Sequence, residues 1–474
     1  MQKCKADKRW QISQMYKMYR DCCICIVAPG GVQCLVRLDE ETHWIHRGWT
    51  LQEAVAPPRV MVLFLWMLSS LPAHAGDTQG QIEEVTKMKS AMASLSLLVD
   101  ACTTGTLSVV NGETRLLLEV KLFSSYPADR SYNDFPFWRA TRRVFSPNVG
   151  ALARIMSPDL DQDAKGHSIW QSALMRTSSR PVDMVFSIMG LFGVTLDTSQ
   201  FHEQDRVGAT IALARAILEN GGRATWLATA FRIAPSSQIS TFSRFPRTSV
   251  SGKAFVRVAT GLQEVSTLME NEYPVTSVLV PMPCGSMDDQ GYLTCIARAV
   301  LIQPLPAIPE STEADHAIPS HLQALDDSWW EFKESAHTGH REAFAVLLGF
   351  FVGYYPGGTP AHDAKNIRAM IIEEHGSRKF HVRSYLMLSN TLRAWVKTWP
   401  KQTFNIGGPA LGASEDLGEE LPLVSSATEP YLNNPTSAPR SAVPTLADVA
   451  IRRARWAVRQ ETLEQEYAEP KQIS

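Results

Sequence analysis

The chain has 474 residues, 45% of them hydrophobic and 20% charged, with a formal net charge of -2. That length accommodates two or three domains with cores of their own, and the near-neutral balance offers no basic field for a nucleic-acid backbone. No apolar run reaches the ~18 residues of a bilayer span, the charged start leads into an amphipathic pattern rather than a signal-peptide core, and eight unevenly spaced cysteines fit a reduced, cytoplasmic chain.

In chain order, Ile12, Met15, Tyr16 and Tyr19 recur at helical spacing and predict an amphipathic helix over 8–21. Cys22 to Ala28 then reads as a buried strand that ends at the turn Pro29-Gly30-Gly31. Cys22, Cys23 and Cys25, with Cys34, His43 and His46 downstream, invite a zinc site. Neighbouring strand residues point to opposite faces, however, so core packing and no metal is the expectation. Thr50 and Glu53 have the spacing of a capping box, which would start a helix that Pro57 and Pro58 end near Val55. Val60 to Leu65 is a short apolar run expected to be a strand, and the order helix, strand, helix, strand points to an α/β layer with parallel strands.

The string Arg47-Gly48-Trp49-Thr50-Leu51-Gln52-Glu53, running into Ala56-Pro57-Pro58, resembles the last of three motifs of the fungal heterokaryon-incompatibility domain. The Met- and Tyr-bearing helix before an apolar strand is similar to the second half of that domain. The resemblance implies self/non-self recognition, regulated cell death and a sheet like that of Toll/interleukin-receptor domains. Some of those domains cleave the nicotinamide from NAD with a glutamate on a comparable Trp-containing helix, a role that by motif position would fall to Glu53. A capping role explains Glu53 equally. The two earlier motifs, Leu-Ser-Tyr-x-Trp-Gly and Asp-x-Leu-Cys-Ile-x-Gln, are absent, so the chain is expected to carry the domain without its N-terminal half.

Farther on, a helix is expected over 81–99, and Leu107 to Val110 and Leu116 to Leu122 are short apolar runs. Pro181 and Asp183 fit the first turn of a helix carrying Val185, Phe186, Ile188 and Met189, closed by Gly190 and Gly193. The stretch from Arg176 to Val194 is similar to the segment that follows the domain in many incompatibility proteins. Arg176, Arg180 and Asp183 form either an anion site at a helix N-terminus or an Arg180–Asp183 ion pair. Another helix is expected over 204–219, stopped by Asn220-Gly221-Gly222.

From 251 the pattern turns to short β-rich runs with a hairpin at His375-Gly376-Ser377, an exposed loop marked by Pro304, Pro306, Pro309 and Pro319, and core tryptophans Trp329 and Trp330. The expected divisions are 1–75, the partial incompatibility domain; 76–245, a helical region packing on it; 246–405, a mixed α+β region; 406–444, a disordered linker; and 445–470, an amphipathic helix with Arg452, Arg453, Arg455 and Arg459 ahead of Glu461, Glu464 and Glu466. That helix binds a partner, makes a basic contact with a membrane surface, or docks on its own protein.

No phosphate-binding loop, dinucleotide fingerprint, nucleophile elbow or metalloprotease motif appears in the sequence. The leading expectation is therefore a non-catalytic interaction module of the heterokaryon-incompatibility type. It would have protein partners, either other proteins or a second copy of the chain, no nucleic acid, no transmembrane segment and no cofactor. The alternatives are an NAD-cleaving cell-death effector with NAD as substrate and Glu53 as catalytic carboxylate, and an inactive, decayed fragment.

Overall fold

The helical spacing of Ile12, Tyr16 and Tyr19 gives α1, Lys5–Asp21, which buries Ile12 and leads into β1, Cys25–Val27. The structure, a computed structural model, describes residues 5–123, 147–227, 229–247, 252–269, 275–278, 282–306, 319–333, 341–353 and 365–409, all within one compact unit that runs to Asp416. The strand expected over 22–28 is shorter at both ends. A loop and the 3-10 turn Trp44–His46 connect β1 to α2, Thr50–Val55, and Pro57-Pro58 then turns the chain into β2, Val60–Leu65. β1 and β2 pair in parallel, as a strand, helix, strand connection requires, with Cys25 opposite Val60 and Val27 opposite Val62.

Beyond this pair the sheet is antiparallel. β3 (Leu71–Ala75), β4 (Thr78–Thr86), β5 (Ser90–Ser94), β6 (Thr106–Asn111) and β7 (Thr114–Glu119) complete seven strands in the order β1-β2-β5-β4-β3-β6-β7. The helix expected over 81–99 is absent. Ile82 is buried between exposed Gln81 and Glu83, an alternation of period two, and Met88 takes a left-handed φ of 56° in the β4–β5 turn. A helix begins only where Ser94 accepts a hydrogen bond from the Leu97 amide, opening α3, Leu95–Thr104. The first part of the region expected to be helical is thus sheet, with strands β4 to β7.

The helices follow: α4 (Pro147–Met156), α5 (Gln162–Leu174), α6 (Asp183–Met189) and α7 (Arg206–Glu219). Asp161 and Asp205 cap α5 and α7, and α7 stops where Gly221 takes a φ of 80°. Gly190, just past α6, lies against α1, where an added Cβ would collide with Tyr16 Cβ and Cγ. Gly190→Ala should therefore lower stability by roughly 2 kcal/mol as α1 is forced outward. An unchanged urea midpoint would contradict this close approach.

The third part is mostly β. β8 (Phe255–Val258) and β9 (Gly261–Glu264) form a hairpin followed by the short α8, Val265–Leu268. The larger sheet contains β10 (Val275–Val278), β11 (Gly285–Met287), β12 (Tyr292–Leu305), β13 (His321–Gln323), β14 (Trp329–Phe332), β15 (Ala343–Gly353), β16 (Ile367–Gly376), β17 (Lys379–Leu388) and, after the short α9 (Arg393–Val396), β18 (Lys401–Gly407). Because β12 pairs with both β18 and β15, strands β15-β16-β17-β18-β12 close on themselves around Phe344, Phe380 and Phe404, whose ring centroids lie 5.2–5.8 Å apart.

Pro304 belongs to β12 opposite Trp330, not to a loop, while Pro309 lies outside the described residues. The β16–β17 turn is one residue later than expected, with Ser377 and Arg378 at φ of 41° and 61° and Gly376 paired with Lys379. Trp330 is buried and Trp329 half-buried. The linker expected over 406–444 does not begin at 406, because Ile406 and Gly407 are buried and complete β18; the rest of it from 410 and the last helix lie outside the described residues. One buried cluster runs from Ile12 and Leu51 through Leu152 and Trp226 to Phe404 and Ile406, so sheet, helices and closed strands share a core. Among the described residues no helix is long and apolar enough to cross a membrane.

Candidate functional site

The Arg47 to Glu53 motif lies between the first sheet and the helical block, and almost every residue of it is engaged. Thr50 is not a helix cap. Trp49 occupies the N-cap position without a side-chain bond, and Thr50, fully buried in the first turn, places its hydroxyl 2.8 Å from the Trp44 carbonyl and 2.7 Å from the Arg47 carbonyl. The same oxygen accepts from Arg176 Nη1 at 2.8 Å. Arg176 comes from the loop after α5 and is 0% exposed; its Nη1 also donates to the Arg47 carbonyl and its Nε to Ser172 Oγ. Burial lowers the Arg176 guanidinium to about 9, against the opposing pull of the Glu53 carboxylate.

Other motif residues fasten the same joint. The Gly48 amide donates to the Thr177 carbonyl at 2.9 Å, and a Cβ on Gly48 would come within 3.1 Å of Met184 Sδ. Leu51 is fully buried, and the buried Gln52 donates through Nε2 to the carbonyls of Phe186 and Ser187 in α6. Asn148 of α4 donates to the Ile45 carbonyl at 3.2 Å.

Glu53 is half-buried, and its carboxylate does not reach back to a helix amide as a capping box would require. Tyr19 Oη donates to Oε1 at 3.3 Å and Trp44 Nε1 to Oε2 at 3.0 Å. Burial, then the Glu53 charge, raises the Tyr19 phenol above its ordinary value, and the same two causes push the Cys25 thiol up to about 11. Glu53 therefore sits in a ring of Tyr19, Cys25 and Trp44, with the Arg176 charge behind it. Tyr19 was visible in the sequence only as one apolar position of a helix, and Trp44 not at all. The one signal that could have found Trp44 is an indole placed just ahead of the motif, able to donate and to pack at once.

The chain matches no protein-family model, no curated protein and no solved structure.

Arg176, Arg180 and Asp183 do not converge. Arg176 is spent on Thr50, Ser172 and the Arg47 carbonyl, whereas Arg180 pairs at the surface with Glu203 at 3.0 Å rather than with Asp183, whose own amide bonds the Arg180 carbonyl. Cys22 and Cys25 are half-buried and Cys23 and Cys34 exposed, and the His43 and His46 rings stand 6.5 Å apart. Among the described residues no group of three or more His, Cys, Asp or Glu side chains is arranged to hold a metal ion. A cleft of about 490 Å³ opens beside α2 and is lined by Ala54 and Val55, but Glu53 is not among its lining residues.

Proposed function

We propose that this chain is a heterokaryon-incompatibility-type protein of fungal self/non-self recognition and regulated cell death, working in the cytoplasm as a non-catalytic interaction module whose protein partners are either other proteins or a second copy of itself. The observation that supports the non-catalytic reading is the use of Glu53: both carboxylate oxygens accept hydrogen bonds from the chain's own Tyr19 and Trp44, and the carboxylate lies outside the neighbouring cleft. The other motif residues serve the joint between sheet and helices, which is what a module that presents a fixed surface needs. A likeness of the parallel β1–β2 layer to Toll/interleukin-receptor domains belongs to this same reading.

One observation favours the second reading, cleavage of NAD. Glu53 is free of any capping duty, and its carboxylate is oriented by two side-chain donors near a buried cation, an arrangement able to stabilise an oxocarbenium-like ribosyl centre.

Expression in a fungal host, with cell death and cellular NAD measured for wild type and Glu53→Gln, separates them. Glutamine keeps one acceptor oxygen, so Glu53→Gln should retain the fold to within about 1 kcal/mol. Death that persists in Glu53→Gln without NAD loss is the expected result. NAD loss abolished by the substitution would establish the enzyme instead, and no growth phenotype in either would leave the decayed fragment.

A further inference from the structure

The cleft beside α2 has no part in the motif joint, and its lining combines apolar side chains with two cations. The apolar side chains include Val55, Pro57, Val60, Met61, Ile155 and Met156. The same lining carries Arg59, just before β2, and Lys165 of α5. Among the described residues neither cation has a carboxylate within ion-pair distance. The lining also includes Ser94, Leu95 and Ser96 at the start of α3, whose first amides have no acceptor within the helix. Glu83 is the acidic residue of the lining and is exposed. Gly80 also lines the cleft, and a Cβ there would come 3.1 Å from Cδ2 of the buried Leu97, so α3 packs closely on β4 at this point. At about 490 Å³ the space lies in the range that holds small organic ligands.

We infer that this cleft binds a small organic phosphate, with the phosphate between Arg59 and Lys165 and an apolar or aromatic body against the Val55, Pro57 and Ile155 side chains. Two unpaired cations suit a dianion better than a monoanion, and the planar guanidinium matches phosphate oxygens in a way a single ammonium does not. The apolar lining gives an organic phosphate an advantage over the free ion. This inference does not depend on the incompatibility reading, because the cleft is defined without Glu53.

Isothermal titration of the full chain with phenyl phosphate, inorganic phosphate, benzoate and phenol tests it. Phenyl phosphate should bind with a Kd at or below the millimolar range, as a ligand of its size can, and the other three at least tenfold more weakly. The Arg59→Ala, Lys165→Ala double variant should lose tenfold or more in affinity with no change in thermal midpoint, since both side chains reach solvent. Glu83→Gln should tighten binding by removing a like charge. No saturable binding of phenyl phosphate, benzoate binding equally well, or binding that survives the double variant would overturn the assignment.

Discussion

Replacing Arg176 by alanine should destabilise the protein by about 4 kcal/mol, the largest single-residue loss expected outside the apolar core. The guanidinium is fully buried, and lowered to about 9 it is still charged at neutral pH. Three of its contacts hold separate pieces of chain together: Thr50 of α2, the Arg47 carbonyl before it, and Ser172 of α5. Alanine would leave the Arg47 carbonyl and the Thr50 hydroxyl short of a donor in a site closed to water, and would take away the cation behind Glu53. Arg176→Met, which fills much of the same space, should cost about half as much, because burying no charge offsets part of the lost hydrogen bonding. Urea unfolding of both variants, with Thr50→Val in a double-mutant cycle, reads this directly. Coupling between Arg176 and Thr50 should exceed about 1 kcal/mol, and additive losses would show that the joint is not held by this pair.

That joint explains why the sequence was legible in some places and not in others. Elements whose buried faces follow from a local period, such as α1, β2 and α7, stand close to where apolar spacing puts them. In the stretch 81–99 the charged and small residues fit either period, and burial of Ile82, Ala91 and Ala93 in the shared core decides for strand. Long-range partners were hidden for a similar reason. Arg176 appeared to belong with Arg180 and Asp183 by proximity in the chain, yet its buried partners are Thr50 and Arg47, far back in the sequence. Glu53 was found from the motif, but its donors were not, because neither Tyr19 nor Trp44 differs in type from a residue that merely packs. Closure of β12 onto both β18 and β15 is likewise a pairing no local pattern encodes.

The second large effect is loss of stability between pH 7 and pH 5. Burial, helped by the Arg176 and Lys253 charges, lowers His46 to about 4, and burial, helped by Arg368 and Arg154, lowers His167 to about 3. Both histidines are neutral in the folded chain and take up a proton near pH 6.5 once unfolded. A folded value below the unfolded one means that their contribution is fully present above pH 6.5 and drains away as the pH falls toward the folded values. Each should remove roughly 2 kcal/mol by pH 5, so the pair withdraws about 4 kcal/mol, comparable to the Arg176 loss. Asp100 and Asp163, whose carboxyls burial raises above the ordinary range, act in the opposite sense as they protonate, and this partly offsets the decline at the acid end. Urea unfolding at pH 7 and pH 5 should therefore give a clear drop in free energy. His46→Gln and His167→Gln should each flatten the profile by about one proton, and an unfolding free energy equal at the two pH values would mean that neither ring is kept neutral by its burial.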